Sequence, residues 1–327
     1  MAQTTSEVWD SRWSSTRRTV RPDVIDNFFE EYGTLDLHRK SGLQVTDDGG
    51  KEIQVILESS GATAESFSGL DELSKSKADP FESAFYKRRY YAAPVVISDT
   101  DNWENSGAAQ IFNLLEALGN NAMQSLMKAI NEDLHTAQTG KNIIGYPDIM
   151  ATSTGATVGG ISSSTSTFWE SQRDTASTTF LATTSTNIYD GIEKWSDIRD
   201  ACRVQGASKM ALVTTPSIVR AYRTALASQG YGETRLGNVQ GIGGAINPSF
   251  YGSKVVEDND CTALSTYVVD LNAVKLNVLK SANFKKTAFT SLQSNGQLGQ
   301  IAYVVAGVQL TTNNRRRSGR ATALTGA

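Results

Sequence analysis

A long amphipathic segment in the middle of the chain sets the first limit on the fold. Apolar residues over 111–134 recur mostly at steps of three or four, which places them on one face of an α-helix. Asp101 and Glu104 precede it with the spacing of a capping box, although Ser or Thr is usual at the first position. The pattern predicts a helix over 105–136, roughly 48 Å long at ~1.5 Å per residue. Such a helix needs an extended surface, such as a sheet, to cover its apolar stripe.

The second half of the chain predicts helices first and strands afterwards. One helical face extends over 188–202, and "MALVTT" predicts a buried strand. Thr215 stands where an N-cap is expected, with Pro216 at the first helical position. Further strands are predicted for "SKVVED", "STYVVDL", "AVKLNVL", "KTAFTSL" and "IAYVVAGVQLTT". Helices followed by strands without regular alternation predict an α+β fold.

Two strand patterns before the long helix are separated by an unusually long connection. "DDGG" is a hairpin-type turn signal, and residues 51–58 alternate with Ile53, Val55 and Leu57 on one face. A second strand, the candidate pairing partner of the first, starts near Tyr90 after about thirty mostly polar residues. Loops beyond ~15 residues are uncommon in compact domains. We interpret the connection as an arm that projects and docks elsewhere; the alternative is a small β element with a mobile insert.

The first forty residues are too polar to build a core of their own. Trp9 and Trp13 stand among Ser, Thr and Arg residues, and large aromatics are typical anchors of protein interfaces. They predict a segment that is covered by another surface; the alternative is a disordered leader with incidental tryptophans. Arg17 and Arg18 are balanced by nearby acids, so the segment is not a basic arm.

Composition excludes several classes of protein. An apolar fraction of 39% with 20% charged residues predicts an ordered globular chain. The longest largely apolar run, 301–308, is far shorter than the roughly 20 residues of a membrane span. The start lacks the apolar core of a secretory signal, and Cys202 and Cys261 are too few for a disulfide framework or a zinc cluster. We expect a cytoplasmic-type product without a membrane partner.

Charge is distributed unevenly along the chain. Residues 281–327 contain six basic residues and no acid, so the first 280 hold 25 basic and 34 acidic residues, a net charge of −9. The stretch "NNRRRSGR" near the end suggests a nucleic-acid contact, but a positive end on a negative body also suits contact between copies. A sequence pI near 5.6 argues against a dedicated nucleic-acid binder.

The sequence contains no set of residues typical of catalysis. The two histidines are predicted to be structural: His38 in a polar turn and His135 at the end of the long helix. Cys202 is predicted to pack on the apolar face of its helix, and Asp270 to cap a strand end. The glycine-rich 237–246 is predicted to be a loop, and the acidic 256–261 a turn after a strand without calcium-loop spacing. We predict that the chain is not an enzyme and has no cofactor-binding or metal site.

The order of these segments resembles the major capsid proteins of tailed bacteriophages, which have the Hong Kong 97-type capsid fold. The stretches that carry the likeness are "TFWESQRDT", "SKMALVTTPSIVRAYRTAL", "FYGSKVVEDNDCTALSTYVVDLNAVKLNV" and "AGVQLTTNNRRRSGRATALTG". Each motif is degenerate, and the specificity comes from their order over nearly the whole chain.

The resemblance implies a division of the chain. Residues 1–40 would be an N-terminal arm and 41–97 an extended loop that lies over a neighbouring copy. Residues 98–185 would form a peripheral domain with the long helix as its spine, 186–280 an axial domain, and 281–327 a return to the peripheral domain.

The resemblance also implies partners. The subunit would assemble with itself as pentamers and hexamers, in a virion capsid built in the host cytoplasm. A portal, a separate scaffold protein, a decoration protein and non-specifically held DNA would be further partners. The candidate inter-subunit contacts are Trp9, Trp13, Arg17, Arg18, Glu65, Asp71, Glu72, Lys75, Lys77, Arg315, Arg316, Arg317 and Arg320. We expect Arg316 and Arg317 to meet acids of a neighbour's extended loop, among them Asp79.

Some relatives cross-link a lysine of the extended loop to an asparagine with the help of a glutamate. Lys75 or Lys77 would supply the lysine, and Asn295, Asn313 or Asn314 the amide. No acidic residue follows Asp270, so we predict no self-catalysed cross-link. The competing functions are an encapsulin-type shell around cargo enzymes, an isolated DNA-binding protein that uses the arginine tail, and an enzyme of unfamiliar type.

Overall fold

The computed structural model describes residues 32–40, 42–61, 64–72, 79–104, 114–179, 190–203, 209–228, 249–293 and 296–325. The helices and strands of the first half are α1 (Gly33–Lys40), β1 (Gln44–Asp47), β2 (Glu52–Glu58), β3 (Phe81–Lys87), β4 (Arg89–Ser98), α2 (Asp99–Glu104), α3 (Leu114–Leu134), α4 (Tyr146–Ile149), β5 (Thr157–Val158), β6 (Ile161–Ser162), β7 (Gln172–Asp174) and β8 (Thr178–Thr179).

The second half continues with α5 (Asp190–Cys202), β9 (Met210–Thr214), α6 (Pro216–Ser228), β10 (Ser249–Phe250), β11 (Ser253–Glu257), β12 (Thr266–Asp270), β13 (Val274–Leu279), β14 (Lys285–Lys286), β15 (Thr290–Ser291), β16 (Gly299–Thr312), β17 (Gly319–Ala321) and β18 (Leu324–Thr325). Short 3-10 helices lie at Thr167–Trp169, Lys280–Ala282 and Arg315–Arg317. This mixture of helices and mainly antiparallel strands confirms the predicted α+β class.

The long strand β16 organises the first sheet. β4 runs antiparallel along one edge, while β13, β14 and β15 follow one another along the other. The spine helix α3 covers one face, where Ala122 and Leu126 pack with Val95 and Val304. The predicted helix–sheet packing is therefore confirmed, with the helix ending at Leu134. The predicted start at 105 lies outside the described residues.

A second sheet has the strand order β10-β11-β9-β12-β17-β7. The helix–strand–helix segment α5-β9-α6 packs on it, and its core contains Trp195, Leu212, Val219 and Val268. The predicted start of α6 at Pro216 is confirmed. β16 lies in the first sheet and β17 in the second, so the last part of the chain contributes strands to both.

The "DDGG" segment does not form the predicted hairpin. β1 pairs in parallel with β13, whereas β2 pairs with β3, so the turn joins two different sheets. The predicted pairing of β2 with the strand near Tyr90 is also wrong, because that strand, β4, pairs with β16. β3 lies in the stretch predicted to be a mostly polar connection, and only its alternate residues Ala84 and Tyr86 are buried. We call the pair β2–β3 the ribbon, and residues 59–80 its tip.

Candidate subunit-contact surfaces

The ribbon has one covered and one exposed face. Leu57, Ala84 and Tyr86 belong to the core, and the Tyr86 hydroxyl donates to the carbonyl oxygen of Thr312 at 2.9 Å. On the opposite face Ile56 is 70% exposed and Phe85 is 49% exposed. Alternate residues of a strand point to opposite faces, which is why one short ribbon is both anchored to the body and apolar on its outside. The predicted strand with Ile53, Val55 and Leu57 on one face is confirmed; Leu57 is buried and the other two are partly buried.

The ribbon's tip combines exposed apolar and acidic side chains. Within the tip, Phe67 is 66% exposed and Leu70 is fully exposed, and Phe81, the first residue of β3, is 67% exposed where the tip joins that strand. The acids Glu65, Asp71, Glu72 and Asp79 are exposed beside them. One oxygen of Asp71 accepts from the backbone N–H of Ser68, which shapes the local turn. Exposed apolar side chains that cluster in this way are typical of an interaction surface.

A second exposed apolar surface lies on the first sheet. Tyr90 and Val96 of β4 and Tyr303 of β16 are exposed on the face opposite the spine helix. Lys285 on the neighbouring β14 pairs with Val305, on the same face, and is exposed. An apolar face with a cation at its edge complements an apolar tip that carries acids.

Arg315 does not lie on the surface. Its side chain is 1% exposed, and its guanidinium donates to four backbone carbonyl oxygens: Ile149 at 2.8 Å, Trp169 at 3.1 Å, and Ala156 and Asp148 at 3.2 Å. Burial lowers the pKa of Arg315 to about 10, so the group stays protonated at neutral pH. The donors are used inside the subunit, which argues against a direct contact between Arg315 and a neighbour.

The other terminal arginines differ from one another. Arg317 lies 2.6 Å from the buried carboxylate of Asp270, which confirms Asp270 at its strand end and gives it a basic partner. Arg320 stacks over the Tyr267 ring at 5.0 Å and donates to the Ser265 hydroxyl. Arg316 is exposed. Arg316 is therefore the arginine of this stretch whose side chain is most accessible to another molecule.

Six predicted contact residues, Trp9, Trp13, Arg17, Arg18, Lys75 and Lys77, lie outside the described residues, as does the predicted loop 237–246. Of the three amides named for a cross-link, Asn295 also lies outside the described residues, whereas Asn313 and Asn314 line a cleft of about 220 Å³ with Arg316.

A buried polar cluster was missed by the sequence analysis. His38 lies in α1 with no exposed surface, not in a polar turn, and its Nε2 is 2.7 Å from the Tyr146 hydroxyl. His135 follows the spine helix, as predicted, with its Nε2 2.9 Å from the Thr34 hydroxyl. Leu37 and Leu134 directly precede the two histidines, but most other residues near them are polar, so the local pattern did not predict that the histidines are buried.

The acidic turn after β11 supplies the cluster's carboxylate. The predicted turn is confirmed, but Asp258 within it is buried and accepts from the N–H of Thr34 at 2.8 Å. Burial alone would raise the pKa of Asp258, yet the hydrogen bonds and charge of His135 and the bonds from Thr34 lower it to about 2. The carboxylate is fixed by these contacts inside the fold, with a structural role.

Cys202 is buried, as predicted, and burial raises the pKa of its thiol to about 12. Among the described residues, no three or more His, Cys, Asp or Glu side chains form a group able to hold a metal ion. Within the same ranges, no helix combines the length and apolar character needed to cross a bilayer.

No protein-family model and no curated protein matches this chain. Solved structures do match over nearly its full length. The cyanophage A-1(L) capsid asymmetric unit gives a TM-score of 0.71 at 17% identity, covering 95% of this chain and 98% of that one. The capsid of an empty GTA particle gives 0.70 at 12% identity, with complete coverage of both chains.

This chain has the Hong Kong 97-type capsid fold. The same fold accounts for a third match, the holo-SrpI encapsulin complex from Synechococcus elongatus PCC 7942, with a TM-score of 0.60 at 7% identity and coverage of 99% and 97%. Two of these three matches are capsids, and the third is an encapsulin complex. The predicted fold class is confirmed.

Proposed function

We propose that this chain is the major capsid protein of a tailed bacteriophage, a structural and non-enzymatic subunit that assembles into an icosahedral shell around double-stranded DNA. The observation that carries the proposal is the match to phage and phage-like capsid subunits over 95% or more of both chains. A match of this extent includes the ribbon as well as the two sheets, so the whole subunit is shaped like a shell component.

The exposed surfaces support assembly with further copies. The ribbon's outer face and tip expose Ile56, Phe67, Leu70 and Phe81 to water in the single subunit. At roughly 25 cal/mol per Å² of apolar area, covering such side chains favours association. Each contact is weak, but repetition around a closed shell adds them, and closure prevents open-ended filaments.

The basic residues that we propose as partners of the acidic tip differ from those predicted from the sequence. Arg317 already has Asp270 beside it, and Arg315 is enclosed. We therefore assign the electrostatic contact with a neighbour's tip to Arg316 and Lys285, which are both exposed. Trp9, Trp13, Arg17, Arg18, Lys75 and Lys77 remain proposed contacts, and Arg320 a weaker one.

The proposal includes a location and further partners. The subunit would occupy the virion capsid as pentamers and hexamers. A portal, a separate scaffold protein and a decoration protein would complete the particle, and packaged DNA would be held without sequence preference. The division into arm, extended loop, peripheral domain and axial domain stays part of this proposal.

Electron microscopy of the expressed chain, alone and with its scaffold, tests the proposal. We expect uniform icosahedral shells. Ile56→Asp on the ribbon's outer face should reduce shell yield at least tenfold, because a buried unpaired carboxylate is costly. Gln54→Asp is the matched control, since it adds the same charge at an exposed position of β2 that is already polar. Discrete small oligomers from the unaltered chain in all assembly conditions would refute the shell function.

An encapsulin-type shell is the second candidate, favoured by the match to the holo-SrpI encapsulin complex. The two functions predict different contents for the purified particle. Particles purified from the native source should contain nuclease-protected double-stranded DNA if the chain is a phage capsid protein. Protein cargo without DNA would favour the encapsulin function.

A further inference from the structure

Helix α1 is held to the body by tertiary contacts and not by its own stability. It has eight residues, Gly33–Lys40, whereas isolated helices shorter than ~12–15 residues are marginal in water. Leu35 and Leu37 bury their side chains in the core. At its start, a Cβ on Gly33 would lie 2.3 Å from the carbonyl oxygen of Glu257, so the backbone approaches the end of β11 closely.

The polar part of this docking site is buried and specific. The N–H and the hydroxyl of Thr34 bond to Asp258 and His135, respectively. The N–H of Leu35 donates to the side-chain oxygen of Asn131 at 3.2 Å, and the Asn131 amide donates in turn to Asp258. Asp258 also lies 3.4 Å from Nε2 of His135. A positive charge on His135 is therefore compensated by a carboxylate in direct reach.

His38 lacks such compensation. Its Nε2 contacts the Tyr146 hydroxyl, and its Nδ1 is buried without a hydrogen-bond partner among the described residues. The titratable groups that face it from other elements are Tyr146 of α4 and His135 after α3, while Arg39 and Lys40 follow it on its own helix. In the part of the chain that the structure describes, no carboxylate bonds to it. Burial first, and the charge of His135 second, lower the pKa of His38 to about 4.

His135, which lies near His38, is itself surrounded by polar and aromatic groups. Asp258 and Thr34 contact it, and the rings of Tyr146 and Tyr267 pack at 5.6 and 6.2 Å between centroids. Asp260 reaches the cluster through the amide of Asn131, and Cys261 lies in the same core. Protonation of His38 therefore places a positive charge beside these groups, while the nearby carboxylate of Asp258 is already bonded to Thr34 and Asn131.

We propose that α1 is an acid-sensitive latch, in which protonation of His38 undocks α1 from α3 and from the turn after β11 while the two sheets stay folded. A charged His38 gains water and loses only the local contacts of α1 when the helix leaves. Local opening of this kind needs less free energy than global unfolding. The latch does not depend on the proposed shell function.

The sign and size of the effect follow from proton linkage. A released His38 has an ordinary pKa near ~6.5, and the docked one about 4, so the open state binds the proton more strongly. The docked state is therefore favoured above the ordinary pKa and weakened as pH falls from ~6.5 towards 4. Between pH 7 and pH 5 the open-to-docked ratio should rise about twentyfold.

Hydrogen–deuterium exchange with mass spectrometry, on the full-length protein and corrected for intrinsic rates, tests the latch. Peptides covering α1 should lose about twentyfold in protection between pH 7 and pH 5. Peptides covering β9, a fully buried strand, should keep theirs over the same interval. A constant α1 protection, or an equal loss in β9, would overturn the proposal even if shells form normally.

Two variants without a titratable side chain identify His38 as the sensor. His38→Gln keeps a polar group near the Tyr146 hydroxyl, and His38→Leu suits the buried site if the first variant does not fold. Either should reduce the pH-dependent loss to less than threefold. Tyr146→Phe is the matched control, because it removes the same hydrogen bond but keeps the proton site, so its acid sensitivity should persist. An unchanged twentyfold loss in the His38 variants would assign the effect to another group.

Discussion

Arg315 offers the sharpest test of how the end of the chain is built into the fold. Its guanidinium bonds to carbonyl oxygens of Asp148, Ile149, Ala156 and Trp169, in the segment between the spine helix and β7. Arg315→Met keeps the apolar stem but removes all donors. The carbonyl of Ala156 also accepts from Ser163 and so keeps a donor. Each of the other three buried carbonyls, left without a donor, costs ~1–3 kcal/mol, and partial relaxation offsets some of this. We expect the free energy of unfolding to fall by about 4 kcal/mol.

Arg315→Lys separates charge from geometry. A lysine keeps the positive charge but lacks the planar fork that reaches several carbonyls at once. We expect a loss of about 2 kcal/mol, between those of the methionine variant and the unaltered protein. Arg316→Met is the matched control, because Arg316 is exposed in the same short helix and its replacement should change stability by less than ~0.5 kcal/mol.

Urea unfolding of the unassembled full-length subunit, followed by tryptophan fluorescence, measures these differences. Trp169 reports directly on the site, because its own carbonyl accepts from Arg315. Equal losses for Arg315→Met and Arg316→Met, within ~0.5 kcal/mol, would refute the structural role of Arg315. A larger loss for lysine than for methionine would refute the claim that the number of donors matters more than the packing.

Two further predictions concern other tightly packed positions. Gly145→Ala should destabilise the subunit by about 2 kcal/mol, because the new Cβ would lie 2.0 Å from the carbonyl oxygen of Thr136. Gly49→Ala is the control and should be near neutral, because the space around Gly49 is open. Equal melting temperatures for the two variants would contradict this prediction. Asp270→Asn should cost roughly 2 kcal/mol by leaving Arg317 without its buried carboxylate, whereas Lys280→Gln breaks only a solvent-exposed pair with Asp48 and should cost less than ~0.5 kcal/mol. Denaturant unfolding of both variants would contradict the second prediction if the losses were the same.

Local patterns predicted several elements. The apolar stripe of the spine helix, the start of α6 at Pro216 and the alternation of β2 are each visible within a few residues. They depend on helix and strand periodicity and on the fixed backbone angle of proline, which act between near neighbours. The order of such elements was enough for the resemblance to the Hong Kong 97-type fold.

The pairing of the strands could not be predicted from local sequence patterns in the same way. "DDGG" has turn chemistry in any context, but whether it closes a hairpin depends on where β13 lies, more than two hundred residues later. β3 was missed because its apolar residues are split between a covered and an exposed face, and only the body beneath the ribbon distinguishes the two.

The arginines near the end of the chain show most clearly what the sequence determines and what only the tertiary structure decides. The sequence determined that this stretch is basic, has no acid near it and follows a long apolar strand. Only the tertiary structure decided that Arg315 is enclosed, Arg317 is paired with Asp270 and Arg316 is exposed. The physical reason is that a guanidinium is stabilised by the acceptors that surround it. Those of Arg315 are backbone carbonyls 146 to 167 residues earlier in the chain, where no local pattern reveals them.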